Sequence, residues 1–451
     1  MIRQTARAFA VLALSLALAQ PSGAQSLPRA ASPDAVGMSG ERLARLTRVM
    51  QEAAAKKQVA GTVTIVLRDG KVVYHEAAGL QDVEQGRAMR PDSIFRIASM
   101  TKAVVSVGLM MLVEEGRLSI SDPVSRYIPA FQKTTVLGTR NGRVAVVPAE
   151  RPITIRDLLT HTAGISYGAG ALEPYYKAAG FTQWYFADRK EPMTYWIDKL
   201  AALPFEAQPG ERWVYGYNTD ILGNVIERIT GQTLAAFVAE RITTPLKMVD
   251  TAFFLPLEKA SRLAAVYAVG PDGTISRAED GRPAVPDLPH SGQGAYVGGP
   301  GVAFSAGAGL LSTAQDYARF MQMLLNGGEL EGVRLLSPTT VALMTSNHVG
   351  MLYRDGTLGW GLGFEVVERV GRAPRYGAAG EFSWSGAYHT TYWADPVEKL
   401  VVVFMSQLLP AGTTNLTTRV RTLVNQAIVG PPDGASGSAG TGAKSQARPD
   451  R

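Results

Sequence analysis

Residues 95–113 read FRIASMTKAVVSVGLMMLV, and this stretch decides the fold. From Ala103 to Val113, apolar residues occupy every face of a predicted helix, which is typical of a helix in the middle of a domain. Ser99 and Lys102 stand three residues apart at the start of this helix, so their side chains share one face. The spacing predicts a serine with an amine beside it at the first turn of a buried helix.

A lysine in this position is expected to be reactive, because a buried amine must find a partner or release its proton. An amine beside a hydroxyl can take the hydroxyl proton as the oxygen attacks a carbonyl, which is how covalent acyl transfer begins. The helix N-terminus adds positive potential at the same place. The short pattern also arises by chance, so its weight depends on the apolar helix that follows.

The composition is that of a globular protein with room for two lobes. The chain has 451 residues, of which 46% are hydrophobic and 19% charged. It has no cysteine, which excludes disulfides, a thiol nucleophile and a cysteine-based metal site. Its five histidines lie far apart, so we expect no metal and no organic cofactor. The net charge of +6 forms no basic block, so nucleic acid is not an expected partner.

The two ends of the chain differ from the body. Residues 1–24 combine arginines, an apolar stretch and a run of small residues, which predicts a signal peptide. Cleavage after Ala19 is an alternative, and the apolar stretch is too short for a permanent membrane span. Residues 430–451 are rich in glycine, alanine and serine, which predicts a disordered tail. We therefore expect an exported protein, periplasmic or extracellular, with no stable membrane span after cleavage.

Periodicity along the body predicts strands near both ends and helices between them. The predicted helices, several of which end at a glycine, are residues 39–57, 99–115, 155–162, 221–230, 314–326 and 415–428. The predicted strands are residues 62–67, 71–75, 363–367, 382–384, 388–394 and 400–405. We therefore expect an α+β fold with a mainly antiparallel sheet, flanked by the N- and C-terminal helices. The sheet lobe is discontinuous, residues 25–95 and 350–429, and residues 96–349 form an inserted all-helical lobe.

Four segments, taken in order, resemble the serine β-lactamase and penicillin-binding-protein superfamily. They begin at Phe95 (FRIASMTKAVVSVGLMMLVEEGRLSISDPVSRYIP), Ile153 (ITIRDLLTHTAGI), Pro209 (PGERWVYGYNTDILGNVIERITG) and Gly307 (GAGLLSTAQDYARFMQMLLNGG). The resemblance is to the class C type, and within it to the esterase branch, the family VIII carboxylesterases. It covers residues 40–428 and implies a β-lactamase/transpeptidase-like fold with Ser99 as the nucleophile.

The resemblance also implies a tyrosine that faces the serine and the lysine, and Tyr215 matches that position. A phenol titrates near pH 10, so it acts as a base only when a cation such as Lys102 stabilises its phenolate. Whether lysine or tyrosine takes the first proton stays open, since the two titrate as a coupled pair. The family pattern places asparagine two residues after this tyrosine; here Tyr217 stands there and Asn218 is one step late.

The third family motif is a strand that carries a cation in β-lactamases, and the matching strand here reads Trp384-Ser385-Gly386 with Ala387 next. The missing cation favours a neutral acyl substrate over an anionic one. Glycine lets the backbone approach a ligand, so the resemblance implies an oxyanion hole from the N–H groups of Ala387 and Ser99. The alternative is that Trp384 only packs under the sheet.

Two further features were candidates for function. Residues 164–168 match G-x-S-x-G around Ser166, but a predicted helix precedes them where that motif needs a strand. His161 is expected to brace its loop.

Seven aromatic residues form either an acyl pocket, a lid or ordinary core: Tyr167, Tyr175, Tyr176, Phe181, Trp184, Tyr185 and Phe186. Tyr167, Tyr217 and Asn218 are the candidate substrate-binding residues.

The sequence thus predicts a serine hydrolase that cleaves carboxylic esters through an acyl-enzyme on Ser99, with Lys102 and Tyr215 exchanging protons. The expected partner is a small-molecule ester or amide. One alternative is a β-lactamase or a D-alanyl-D-alanine carboxypeptidase. Another is a penicillin- or peptidoglycan-binding protein with little turnover. The oligomeric state stays open.

Overall fold

The computed structural model describes residues 26–140, 142–181, 183–279 and 292–431. The predicted signal peptide, residues 1–24, lies outside these ranges, as do residues 432–451 of the predicted tail. Within the described ranges, no helix combines the length and the apolar composition needed to cross a membrane.

An eight-stranded antiparallel sheet is the centre of the fold. Its strands are β1 (Gly61–Arg68), β2 (Lys71–Asp82), β3 (Arg87–Ala88), β4 (Gly359–Trp360), β5 (Glu365–Val366), β6 (Phe382–Gly386), β7 (Thr390–Asp395) and β8 (Leu400–Met405). Across the sheet they run β4-β5-β6-β7-β8-β1-β2-β3. The pairing of β1 with β8, from Val63 opposite Met405 to Arg68 opposite Leu400, joins the two ends of the chain. The predicted α+β class is confirmed.

Helices cover both faces of this sheet. The α-helices of the described residues are α1 (Gly40–Ala55), α2 (Thr101–Glu114), α3 (Ile155–Leu159), α4 (Glu173–Ala178), α5 (Met193–Ala201), α6 (Asn218–Thr230), α7 (Leu234–Val238), α8 (Ala314–Leu325), α9 (Pro338–Met344) and α10 (Leu416–Asn425). On one face, Leu46 of α1 and Val420 of α10 share a buried cluster with Val402 of β8. On the other, Val403 joins the main core, which contains almost all of α2.

The predicted helix at residues 155–162 ends earlier than expected. It stops at Leu159, and His161 adopts a left-handed backbone with φ of +57°. The hydroxyl of Thr160 donates to Arg156 O, and that of Thr162 donates to Asp157 Oδ1, so local side chains take over from the helical pattern. This early end releases the chain into the loop that carries Ser166 and Tyr167.

The inserted region is not wholly helical, in contrast to the prediction. It contains an antiparallel hairpin, Thr135–Arg140 with Arg143–Pro148, to which Pro204–Phe205 is added in parallel. Asn-Gly at residues 141–142 is a hairpin signal in the sequence. Other short strands are Phe95–Arg96 with Leu311–Ser312, Glu329–Leu330 with Val333–Arg334, and Tyr267–Val269 with Ile275–Arg277 and Leu408–Leu409.

Candidate active site

Ser99 and Lys102 meet at the start of α2, as the spacing predicts. Ser99 lies in a single 3-10 turn, Ala98–Met100, directly before the helix, and its side chain is partly exposed. Lys102 is 1% exposed, and its Nζ donates to Ser99 Oγ over 3.2 Å. Ala98 holds a positive φ of +40°, a strained backbone directly before the serine. The Ser99 hydroxyl is therefore reachable while the amine beside it is buried.

The Lys102 amine has three oxygen partners. Besides Ser99 Oγ, its Nζ donates to Gly307 O over 2.7 Å and to Tyr167 OH over 3.2 Å. Three accepting oxygens match the three donors of an ammonium group. Gly307 was not predicted as a site residue, because a backbone carbonyl has no signature in the sequence. Its only signal is that Gly307 begins the fourth family-like segment.

Tyr215 lies on the other side of the lysine. Its ring centre is 4.6 Å from Lys102 Nζ, and its hydroxyl accepts a hydrogen bond of 3.2 Å from Trp384 Nε1. The structure thus brings Tyr215, Lys102 and Trp384 together, as the family resemblance implies.

Tyr167 touches the same lysine but has a different environment. Burial is the main cause that raises the pKa of Tyr167 well above its usual value, and the negative charges that Tyr215 and Asp220 can carry add to this. Tyr167 therefore stays a neutral phenol at ordinary pH. Tyr167 was a candidate for substrate binding from the sequence, and its hydroxyl instead contacts the Lys102 amine.

The β6 strand passes close to the turn that carries Ser99. A Cβ atom on Gly386 would lie 2.3 Å from Ile97 O and 2.3 Å from Thr390 Oγ1, so only glycine fits there. Ala387, the next residue, packs against a buried cluster that contains Ala98, the residue before Ser99. Side chains alternate along the strand, so Ser385, which is exposed, points to the opposite face from Trp384.

Trp384 combines the two roles that the sequence left open. Its ring packs edge-on against the buried Trp360 with ring centres 4.6 Å apart, and its indole N–H reaches Tyr215. It is partly buried, and no cation stands at its position in the strand. Packing therefore fixes the orientation of the ring whose N–H serves the site.

Tyr217 and Asn218, proposed from sequence as substrate contacts, are both fully buried. The Tyr217 hydroxyl donates to Gln183 O over 2.7 Å, and the ring packs among other aromatic residues. Asn218 Nδ2 donates to Ile165 O over 3.1 Å and to Val214 O over 3.2 Å. These residues therefore support the loops that carry Tyr167 and Tyr215, and their side chains do not face the cleft.

His161 also joins these loops. Asn218 Nδ2 donates to His161 Nδ1 over 2.9 Å, and His161 O accepts from Val214 N over 2.7 Å. Burial, with the nearby Lys102 charge, lowers the pKa of His161 well below its usual value. The imidazole is therefore neutral and holds the loop, as expected.

Ser166 lacks the environment of a nucleophile. It is 7% exposed, and its Oγ accepts from Gly168 N over 3.2 Å. The residues before it form α3 and a turn, so the strand that a nucleophile elbow needs does not precede it.

Most of the aromatic residues predicted as pocket, lid or core belong to the core. Tyr176, Phe181 and Phe186 are buried and pack near Tyr217. The exceptions are Tyr167 at Lys102, the exposed Tyr175 and the partly buried Trp184. Trp184 packs edge-on against Tyr388, next to Ala387, with ring centres 5.5 Å apart. Within the described part of the chain, no cluster of three or more histidine, aspartate or glutamate side chains is arranged to hold a metal.

Comparisons with known proteins show the family of this chain. The family model described as Beta-lactamase matches residues 46–426. Protein Rv1367c of Mycobacterium tuberculosis is 35% identical over 369 residues, covering 78% of this chain and 86% of that protein. Esterase EstB of Burkholderia gladioli is 33% identical over 417 residues, covering 88% of this chain and 97% of the esterase. The solved structure of EstCE1, a hydrolase with promiscuous acyltransferase activity, has a TM-score of 0.71 and 26% identity over 85% of this chain and 98% of that one.

The fold and the serine at the start of the buried helix define a serine hydrolase with a β-lactamase/transpeptidase-like architecture. Within that class, the chain belongs to the Beta-lactamase family, and its relatives place it with the carboxylesterase type. The family resemblance drawn from four sequence segments is confirmed.

Proposed function

We propose that this enzyme hydrolyses carboxylic esters through an acyl-enzyme on Ser99. The observation that carries the proposal is the buried Lys102 amine, 3.2 Å from Ser99 Oγ and beside the Tyr215 ring. A hydroxyl oxygen becomes a nucleophile when such a neighbour accepts its proton. The similarity to Esterase EstB supports an ester as the substrate.

Acylation requires one proton to move twice. The Ser99 proton passes to the Lys102–Tyr215 pair as Oγ attacks the ester carbonyl. The Ser99 and Ala387 N–H groups hold the oxyanion that forms, and the proton then goes to the departing alcohol. A water molecule repeats the sequence on the acyl-enzyme, which releases the acid and restores Ser99.

The residues of β6 favour a substrate with a neutral acyl group. Trp384 stands where related lactam-binding enzymes carry a cation, and its N–H is engaged with Tyr215. A carboxylate-bearing lactam would lose an ion pair there, whereas an uncharged ester would not. We therefore expect esters to be turned over faster than cephalosporins.

The deciding experiment measures hydrolysis of p-nitrophenyl butyrate and of a chromogenic cephalosporin by the wild type, Ser99→Ala and Ser166→Ala. The expected result is fast ester turnover that Ser99→Ala abolishes and the matched control Ser166→Ala retains. Turnover that survives in Ser99→Ala and is lost in Ser166→Ala would overturn the mechanism. A stoichiometric burst without steady turnover would indicate a binding protein, and release of D-alanine from a peptidoglycan peptide a carboxypeptidase.

The export of the enzyme is part of the same proposal. Residues 1–24 carry the features of a signal peptide, and cleavage after Ala24 or Ala19 gives mature chains of different mass. Intact-mass measurement of the protein from the periplasm and the medium identifies the cut. Full-length protein found only in the cytoplasm would contradict export.

A further inference from the structure

Asp220 is a buried carboxylate that the proposed chemistry does not use. It lies in the first turn of α6 and is 1% exposed. Its Oδ1 accepts from Ser305 Oγ over 2.7 Å and from Gly307 N over 3.0 Å. Among the described residues, Oδ2 has no hydrogen-bond partner. Burying a carboxylate with one oxygen unpaired is costly, so the position calls for a compensating interaction.

Gly307 connects this carboxylate to the catalytic amine. Its N–H binds Asp220, while its carbonyl oxygen accepts from Lys102 Nζ over 2.7 Å. The hydroxyl of Ser305 also accepts from Ala308 N over 3.1 Å, which closes the turn. A Cβ atom on residue 307 would lie 2.4 Å from Asp220 Oδ2, so the link requires glycine at this point.

The Asp220 carboxylate and the Lys102 ammonium, which lie on either side of this turn, attract each other electrostatically. Burial raises the pKa of Asp220, and the Lys102 ammonium acts in the opposite direction. Protonation would not relieve the cost, because an acid proton on Oδ2 would be a buried donor without an acceptor among the described residues. The lysine charge and the hydrogen bonds from Gly307 and Ser305 thus offset part of the cost of burying the carboxylate.

We propose that Asp220 is a positioning residue for Lys102: it fixes the turn at residues 305–308, and the Gly307 carbonyl of that turn holds the amine beside Ser99. Asp220 touches neither the substrate nor the reacting atoms. The inference rests on the proposed function only in taking Ser99 as the nucleophile.

The test measures the rate at which a fluorophosphonate probe labels Ser99, over a range of pH. In this reaction the serine oxygen displaces fluoride from phosphorus, and its proton passes to the neighbouring base, so turnover of an ester is not needed. Asp220→Ala removes both the charge and the acceptor, and should slow labelling about 100-fold. Asp220→Asn keeps an acceptor at Oδ1 but removes the charge, and should slow labelling about tenfold and displace its pH profile.

The matched control is Glu227→Gln on the same helix. Glu227 Oε1 accepts from Leu234 N over 2.9 Å, and burial raises the pKa of this carboxyl too. Like Asp220, Glu227 is therefore a carboxyl group that accepts from a backbone N–H and whose pKa is raised by burial, but it lies away from Ser99 and Lys102. We expect Glu227→Gln to lower the melting temperature but to leave the labelling rate within about twofold and the pH profile unchanged.

Each outcome separates the two proposals. Wild-type labelling at Ser99 without ester hydrolysis would refute the proposed function and leave the Asp220 test intact. Labelling of both Asp220 variants at the wild-type rate, with an unchanged pH profile, would overturn the positioning role. If these variants do not fold, Ser305→Ala tests the same turn, and a labelling rate equal to wild type would overturn the role by itself. A wild type that is not labelled at Ser99 would overturn both.

Discussion

Two tyrosine loops flank the same lysine, and they differ in what their phenols can do. In residues 161–167, the Tyr167 hydroxyl touches Lys102 Nζ directly, and burial raises its pKa. In residues 213–217, Tyr215 presents its ring to Lys102 and its oxygen to the Trp384 indole N–H. The two phenols thus meet Lys102 in different ways, Tyr167 through its hydroxyl and Tyr215 through its ring. Under the proposed mechanism we therefore expect Tyr167 to position the amine and Tyr215 to exchange the proton.

The largest expected effect comes from Tyr215→Phe, which removes the phenol and keeps the ring. Loss of a proton-transfer group should lower kcat/KM for p-nitrophenyl butyrate by about 1000-fold. Melting temperature should change little, since the ring packing remains. A variant that keeps more than a tenth of wild-type activity would contradict the role of Tyr215 in proton transfer.

Trp384→Phe removes the indole N–H that reaches Tyr215. We expect kcat/KM to fall about tenfold, as for loss of one hydrogen bond to the Tyr215 oxygen. The control is Trp360→Phe, whose indole donates to Leu159 O and not to Tyr215. An equal loss of kcat/KM in both variants would assign the effect to packing.

Tyr167→Phe should have a smaller effect than either. The variant removes one of three acceptors from Lys102, so kcat/KM should fall about fivefold, the cost of one ordinary hydrogen bond. The pH profile should keep its shape, because the raised pKa of Tyr167 keeps this phenol neutral throughout the working range. A loss as large as that of Tyr215→Phe would reverse the roles assigned above.

His161→Gln should leave the pH profile of activity unchanged and alter only stability. The pKa of His161 is lowered in the folded state, so below pH 6.5 the unfolded chain binds a proton that the folded chain does not. The wild type therefore keeps its full stability above pH 6.5 and loses it as the pH falls. Urea unfolding between pH 7 and pH 5 should show a wild-type slope steeper than that of the variant by up to about 1.4 kcal/mol per pH unit. Equal slopes would mean that His161 is protonated in the folded protein.

Much of the site was predictable because it is local or belongs to a recognisable family. Ser99 and Lys102 follow from the three-residue spacing on an apolar helix, and Tyr215 and Trp384 follow from the family resemblance. Tyr217 and Asn218 illustrate the limit. Their place in the motif suggested the cleft, yet the start of α6 turns both side chains into the core. A residue's direction on a loop depends on what packs beneath it, and one sequence does not show that.

The sequence by itself determined the buried helix, the Ser99–Lys102 pair and a sheet built from both ends of the chain, because periodicity and short spacing act over neighbouring residues. Only the tertiary structure decided which groups surround the amine. Lys102 and Gly307 are 205 positions apart, and Asp220 and Ser305 are 85 apart. Contacts between residues so far apart in the sequence form only when the chain packs. Geometry and charge then determine which backbone carbonyl or buried carboxylate lies near the amine.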